Sequence, residues 1–170
     1  YTESDDPSPR SEYGVRLRGF EDRIGALDDA CVVRTGYLFG VSRGELDGRL
    51  ARTVERLRDG GTVHYYSDVY RSPVAVGDAA RAVGALVRGT RRGVLHVPTP
   101  RTSVFAFHRA AAAAMDLPHR RVRPEPMPAD PSLHRDTSLA SERFERVVGG
   151  RPRSVARAMA ATSEADRATR

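Results

Sequence analysis

At 170 residues and a formal net charge of +6, the chain is long enough to bury a core of its own as one domain. Its single cysteine, Cys31, excludes an internal disulfide framework, and with no run of about 18 apolar residues and no leader-like stretch we expect a soluble, cytoplasmic protein without a membrane partner. All 28 basic residues are arginine, as GC-rich coding produces, and they are scattered among Asp and Glu with no basic run longer than "HRRVR" at 119–123, so we expect no nucleic-acid partner.

Residues 1–11 read as a loop, because Pro7 and Pro9 each remove a backbone donor from an acidic, serine-rich stretch. The chain enters on Tyr1, in "YTESDDPSPRSEYG", and we expect it to be the later part of something longer. From Ser11 to about Leu27, Tyr13, Leu17, Phe20, Ile24 and Leu27 recur at spacings of three and four, which is one face of an amphipathic helix. "ACVVRTGYLFG" at 30–40 is short, apolar and β-branched, and predicts a buried parallel strand. A helix follows over 44–61, with Leu46, Leu50, Val54 and Leu57 on one face and a glycine pair at its end. Strands are predicted at 62–67 and 93–98 and a helix at 76–89; this alternation implies an α/β fold with parallel pairing. Capping residues and an alanine run predict a helix over 102–118, and the Pro- and Arg-rich stretch 119–135 a short extended piece and then loop. With helices at about 138–148 and 153–162, we expect residues 1–162 to form a single α/β domain followed by a polar tail, 163–170. No glycine-rich phosphate loop occurs, so no dinucleotide cradle is evident.

Five segments in order, "YTESDDPSPRSEYGVRLRGFE", "CVVRTGYLFG", "YSDVYRSPVAVGDAARAV", "GVLHVPTPRTSVFAF" and "DPSLHRDTSLASERF", resemble the C-terminal half of the extended short-chain dehydrogenase/reductases. Within them the resemblance is to the dTDP-4-dehydrorhamnose reductase family, and it spans nearly the whole chain. It implies the C-terminal portion of an α/β reductase, lacking the N-terminal Rossmann nucleotide-binding half. It also implies a nucleotide-linked sugar as ligand and NADP(H) as cofactor, the latter held by the missing Rossmann half or a second subunit rather than by this chain alone. The family reaction is NADPH-dependent reduction of a nucleotide-linked 4-keto sugar.

In that family a tyrosine acts as general acid, and a lysine one helical turn on supplies positive charge beside it and holds the cofactor ribose. The resemblance places Tyr13 at the tyrosine and Glu21 at the later glutamate, so Leu17 stands where the lysine would be. Arg16, nearly on the same side, could restore some positive charge, although a planar guanidinium does not replace an ammonium geometrically. The resemblance further marks Thr35 and Tyr37 as sugar-side residues following Arg34, and Arg71 as a diphosphate-gripping arginine. Read without it, Tyr13 and Tyr37 are equally core-covering aromatics, Arg71 a surface arginine, and Asp78 a charge favoured by a helix N-terminus. Cys31 reads as inert packing, the five histidines have no metal-ligand spacing, and no Ser/His/Asp triad can be argued from order. Two functions stay open: a sugar-nucleotide-binding reductase half that is incomplete or catalytically impaired, and a non-catalytic binding or regulatory protein built on the same fold. Either leaves an exposed apolar area where a second half would dock.

Overall fold

The computed structural model describes residues 1–42, 44–89, 92–130 and 133–168, with residues 162–168 in backbone only. Helix α1 (Glu12–Gly25) starts at Ser11, whose hydroxyl accepts from the Gly14 N–H. It is followed by β1 (Cys31–Arg34), β2 (Leu38–Phe39), and the short pair β3 (Val41–Ser42) and β4 (Glu45–Leu46). Helix α2 (Gly48–Arg58) begins at Asp47, whose carboxylate accepts from the N–H groups of Arg49 and Leu50. Next come β5 (Val63–Tyr66), β6 (Tyr70–Arg71), β7 (Val74–Ala75), α3 (Val76–Val87), β8 (Gly93–His96) and β9 (Thr102–Ser103). Helix α4 (Val104–Ala114) is capped by Ser103, and a 3-10 turn at His119–Arg121 leads into β10 (Val122–Glu125). Helices α5 (Phe144–Val148) and α6 (Val155–Ala168) close the chain.

The parallel pairing expected of an α/β chain is present: β1 lies beside β8, β5 beside β10, and β2 beside β7, while β6 runs antiparallel to β9. Among the described residues β1 pairs with β8 alone, so its other edge is open. Two core clusters flank these strands. One joins Phe39 and Leu50 to Phe107, Ala111 and Met159; the other joins Val74 to Leu95, Val97 and Phe144. A third, smaller cluster of Leu57, Ala112 and Val122 ties α2 and α4 to β10.

The strand expected over 30–40 is divided into β1 and β2, and Gly36 shows why. A Cβ there would stand 2.0 Å from the Ser72 carbonyl oxygen, so two backbones cross at a distance only glycine permits. The expected helix over 138–148 shortens to Phe144–Val148, because the Ser141 hydroxyl accepts from the N–H groups of Arg143 and Phe144 and holds the preceding chain in a bend. Residues before it serve other partners: Leu139 donates its N–H to Ser72 and Ala140 to the Tyr1 carbonyl. The last helix is longer than predicted, its backbone continuing to Ala168 through most of the expected tail; residues 169 and 170 lie outside the described residues. Asp78 stands in the first turn of α3 as expected, but it is also fully buried and ion-paired to Arg81 and Arg153.

Helix α1 departs most from its expected setting. Its apolar stripe forms, yet none of its residues is buried, with Tyr13 73% and Phe20 62% exposed. It is joined to β1 by an ion pair in which the Arg34 guanidinium grips the Glu21 carboxylate, Nη2 to Oε2 at 2.6 Å and Nε to both oxygens at 3.1 Å.

Candidate ligand site

A cavity of about 1180 Å³ opens between α1, the β1–β2 link, β6 and α4. It brings together Tyr13 and Leu17 from α1, Thr35 and Tyr37 from the link, and Arg71 from β6. These were the residues marked in the sequence. Arg16 is not brought there; its guanidinium lies 2.5 Å from Glu12 one turn back, both side chains well exposed.

Local structure explains each placement. Thr35 and Tyr37 flank Gly36 where it passes over Ser72, and the Tyr37 carbonyl accepts from the Val74 N–H at 2.8 Å, which fixes the link against β7, three residues beyond Arg71. The Tyr37 ring meets Phe107 edge-on at 5.4 Å, and its hydroxyl donates to Asp47. Burial, reinforced by that acceptor, raises the phenol above its ordinary pKa, so Tyr37 stays protonated and committed to Asp47. Arg71 donates to the carbonyls of Tyr70, Arg135 and His134 at 2.7, 3.3 and 3.3 Å. Burial lowers its pKa, opposed by the charge of Asp136, but an arginine remains a cation throughout the working range. Among the described residues it has no ion-pair partner.

Three further residues belong to the site. Arg49, in the first turn of α2, lies over the Tyr37 ring at 5.0 Å and lines the cavity, also without an ion pair among the described residues. His108 of α4 lines it too, 3% exposed and stacked on Tyr65 at 3.6 Å. Arg34 is locked to Glu21 and lies 3.4 Å from His96 Nε2, while His96 Nδ1 meets the Ala140 carbonyl at 3.1 Å. That geometry puts the His96 proton on Nδ1, and burial holds its pKa below the ordinary value. Nothing in the sequence points to these roles: Arg49 is one arginine among many, and the five histidines have no metal-ligand spacing. Cys31 packs against the second core cluster, and burial pushes its thiol pKa up. Among the described residues no group of three metal-ligating side chains occurs and no helix is long and apolar enough to cross a membrane.

The arrangement is thus a mixed α/β fold with a cavity whose wall carries two arginines, Arg49 of α2 and Arg71 of β6, that make no ion pair among the described residues. The chain belongs to the RmlD substrate binding domain family, whose pattern matches residues 1–167. No curated protein sequence matched. Among solved structures, it resembles dTDP-4-dehydrorhamnose reductase from Bacillus anthracis in complex with NADP, at 20% identity and a TM-score of 0.77, covering 97% of this chain and 59% of that one. It also resembles the dTDP-glucose 4,6-dehydratase DesIV from Streptomyces venezuelae with NAD bound, at 22% identity and a TM-score of 0.76, covering 100% and 55%. UDP-glucose 4-epimerase from Thermotoga maritima with UDP-glucose is similar at 22% identity and a TM-score of 0.74, covering 99% and 57%. The chain therefore spans somewhat more than half the length of the structures it matches.

Proposed function

We propose that this chain binds a nucleotide-linked sugar, with the diphosphate on Arg71 and the sugar lying toward Thr35, Tyr37 and Tyr13. The observation that carries the reading is Arg71 itself, held in the cavity wall by three carbonyls that leave its charge without a carboxylate. A guanidinium so placed is oriented before ligand arrives and loses little freedom on gripping a phosphate. The family membership and the sugar-nucleotide enzymes among the structural neighbours support the same ligand class.

The chain's own residues do not fit a nicotinamide dinucleotide. Its sequence has no glycine-rich turn, and the cation expected beside Tyr13 is missing: Leu17 lines the cavity there, Arg16 is paired to Glu12 and Arg34 to Glu21. On this reading the chain by itself binds sugar nucleotide without reducing it. Reduction would require a dinucleotide-binding half, on this polypeptide or another, seated on the exposed stripe of α1 and the open edge of β1. The second reading, a non-catalytic binding or regulatory protein, is favoured by Leu17 and shares the same ligand.

Calorimetry with a dTDP- or UDP-sugar tests the common ground. Binding should be tighter than for the free sugar, and Arg71→Ala should weaken it by about 1.5–3 kcal/mol, the contribution of a charge-assisted contact. An unchanged affinity would remove Arg71 from the site. NADPH consumption with a 4-keto sugar nucleotide by the isolated chain would overturn the assignment of reduction elsewhere.

A further inference from the structure

Among the described residues the charged side chains in the cavity wall are Glu21, Arg34, Arg49 and Arg71. Glu21 and Arg34 neutralise each other through their ion pair. Burial holds His108 neutral, its pKa pulled down to about 4, so it adds no charge at neutral pH. The wall is left with two positive charges, Arg49 and Arg71, and no carboxylate paired to either.

Arg49 is held at both ends. Its N–H donates to Asp47 Oδ1 at 3.2 Å, and its guanidinium carbon lies 5.0 Å from the centroid of the Tyr37 ring, whose hydroxyl donates to that same oxygen. The carboxylate of Asp47 also accepts from the N–H groups of Leu50 and Gly40, at 3.2 and 3.3 Å. Asp47 is therefore spent on neutral donors, and among the described residues the Arg49 guanidinium has neither a hydrogen bond nor an ion pair. Tyr37 also sets where this charge stands relative to Arg71. The link bearing Tyr37 crosses Ser72 at Gly36, and Arg71 immediately precedes Ser72, so the ring beneath Arg49 and the strand bearing Arg71 are neighbours in one wall. The two cations are close enough to repel: after burial, the charge of Arg49 is what lowers the Arg71 pKa. Like charges held together cost free energy that an anion between them offsets.

We propose that Arg49 is the second cation of the diphosphate site, gripping together with Arg71 the diphosphate of a nucleotide-linked sugar. This rests on the reading of the cavity as a sugar-nucleotide site. The charges match, since a diphosphate esterified at both ends carries one negative charge on each phosphate and the wall supplies two positive ones.

Calorimetry on the full chain with UDP-glucose, dTDP-glucose, inorganic pyrophosphate and NADPH tests it. Arg49 is exposed, and Arg49→Gln keeps a flat amide for the Tyr37 ring without orphaning any partner. It should weaken pyrophosphate and the sugar nucleotides on the order of 10-fold, as loss of one charge-assisted contact does, and Arg49→Lys, which keeps the charge, should recover part of the loss. Arg58→Gln removes the same charge from the other end of α2, outside the cavity, and should leave every affinity as it was. Wild-type affinity in Arg49→Gln would overturn the proposal, as would equal weakening by Arg58→Gln, which would trace the effect to net charge. Either result leaves the phosphate site standing if Arg71→Ala still weakens pyrophosphate. NADPH also carries a diphosphate and should bind more weakly than the better of the two sugar nucleotides; the reverse order would give the arginine pair to the dinucleotide and overturn the proposal. Failure of the wild type to bind pyrophosphate or either sugar nucleotide would overturn both readings.

Discussion

Removing the Asp78 carboxylate should cost far more than a helix-terminal charge is worth. The side chain is fully buried, Oδ2 accepting from the Arg153 N–H at 2.7 Å and Oδ1 from Arg153 Nε at 2.8 Å and Arg81 Nη2 at 3.0 Å. It thereby ties the first turn of α3 to the segment entering α6. Breaking a fully sealed ion pair costs about 3–5 kcal/mol. Here the arginine side chains are 51% and 36% exposed and can return to water, which lowers the expected cost of Asp78→Ala to about 2–3 kcal/mol. A helix-dipole charge alone contributes only about 0.3–1 kcal/mol. Urea denaturation followed by far-UV circular dichroism measures the difference, and the melting temperature should fall by roughly 5–10 °C for a domain of this size. Asp78→Asn, which keeps an acceptor for the Arg153 N–H, should lose less. A double-mutant cycle with Arg153→Ala decides the cause. A loss below about 0.5 kcal/mol for Asp78→Ala, or no coupling to Arg153, would reduce Asp78 to the dipole role and refute the tie between α3 and α6.

Gly36→Ala should prevent stable folding or cost at least about 3 kcal/mol, because the new Cβ meets backbone rather than a movable side chain; a denaturation midpoint near wild type would show that the two backbones can part. Acid should destabilise the domain through His108. Its folded-state pKa is depressed from 6.5 to about 4, so the unfolded chain takes up the proton first, and stability present above pH 6.5 is lost as pH falls toward about 4. This loss amounts to about 3 kcal/mol, and His108→Phe should flatten the profile in that window; an unaltered profile would show that the histidine is not held neutral. Phe20→Ser should change stability by no more than about 0.5 kcal/mol, since the ring is already 62% exposed, and a larger loss in denaturant titration would mean that the α1 stripe is packed within the isolated chain.

The parts of this fold readable from sequence are those where side-chain periodicity and burial coincide. Leu50, Val54 and Leu57 predicted the inner face of α2 and are buried there, and the β-branched runs gave β1 and β8. Periodicity failed to foretell burial in α1, where the same spacing of apolar residues leaves none of them buried. Two backbones crossing at Gly36 left no pattern in the letters either, because the cause is Ser72, distant in sequence. At the site, Tyr13, Thr35, Tyr37 and Arg71 were found through family resemblance, and the cavity brings them together. Arg49 and His108 escaped because their significance depends on their surroundings in space: Arg49 covers the Tyr37 ring without an ion pair among the described residues, and His108 stacks on Tyr65 in the cavity wall.

The crossing at Gly36 also governs how the cavity can adapt. Tyr37 belongs to the β1–β2 link and Arg71 to β6, but the two segments meet through main-chain atoms at Gly36 and Ser72 and the Tyr37 carbonyl accepts from Val74, so the spacing of these two walls is set by backbone contact. The opposite wall is α1, none of whose residues is buried and which the Glu21–Arg34 pair joins to β1. Ligands of different bulk would therefore be accommodated by swinging α1, carrying Tyr13 with it, while the spacing between the aromatic and the phosphate-facing arginine stays constant.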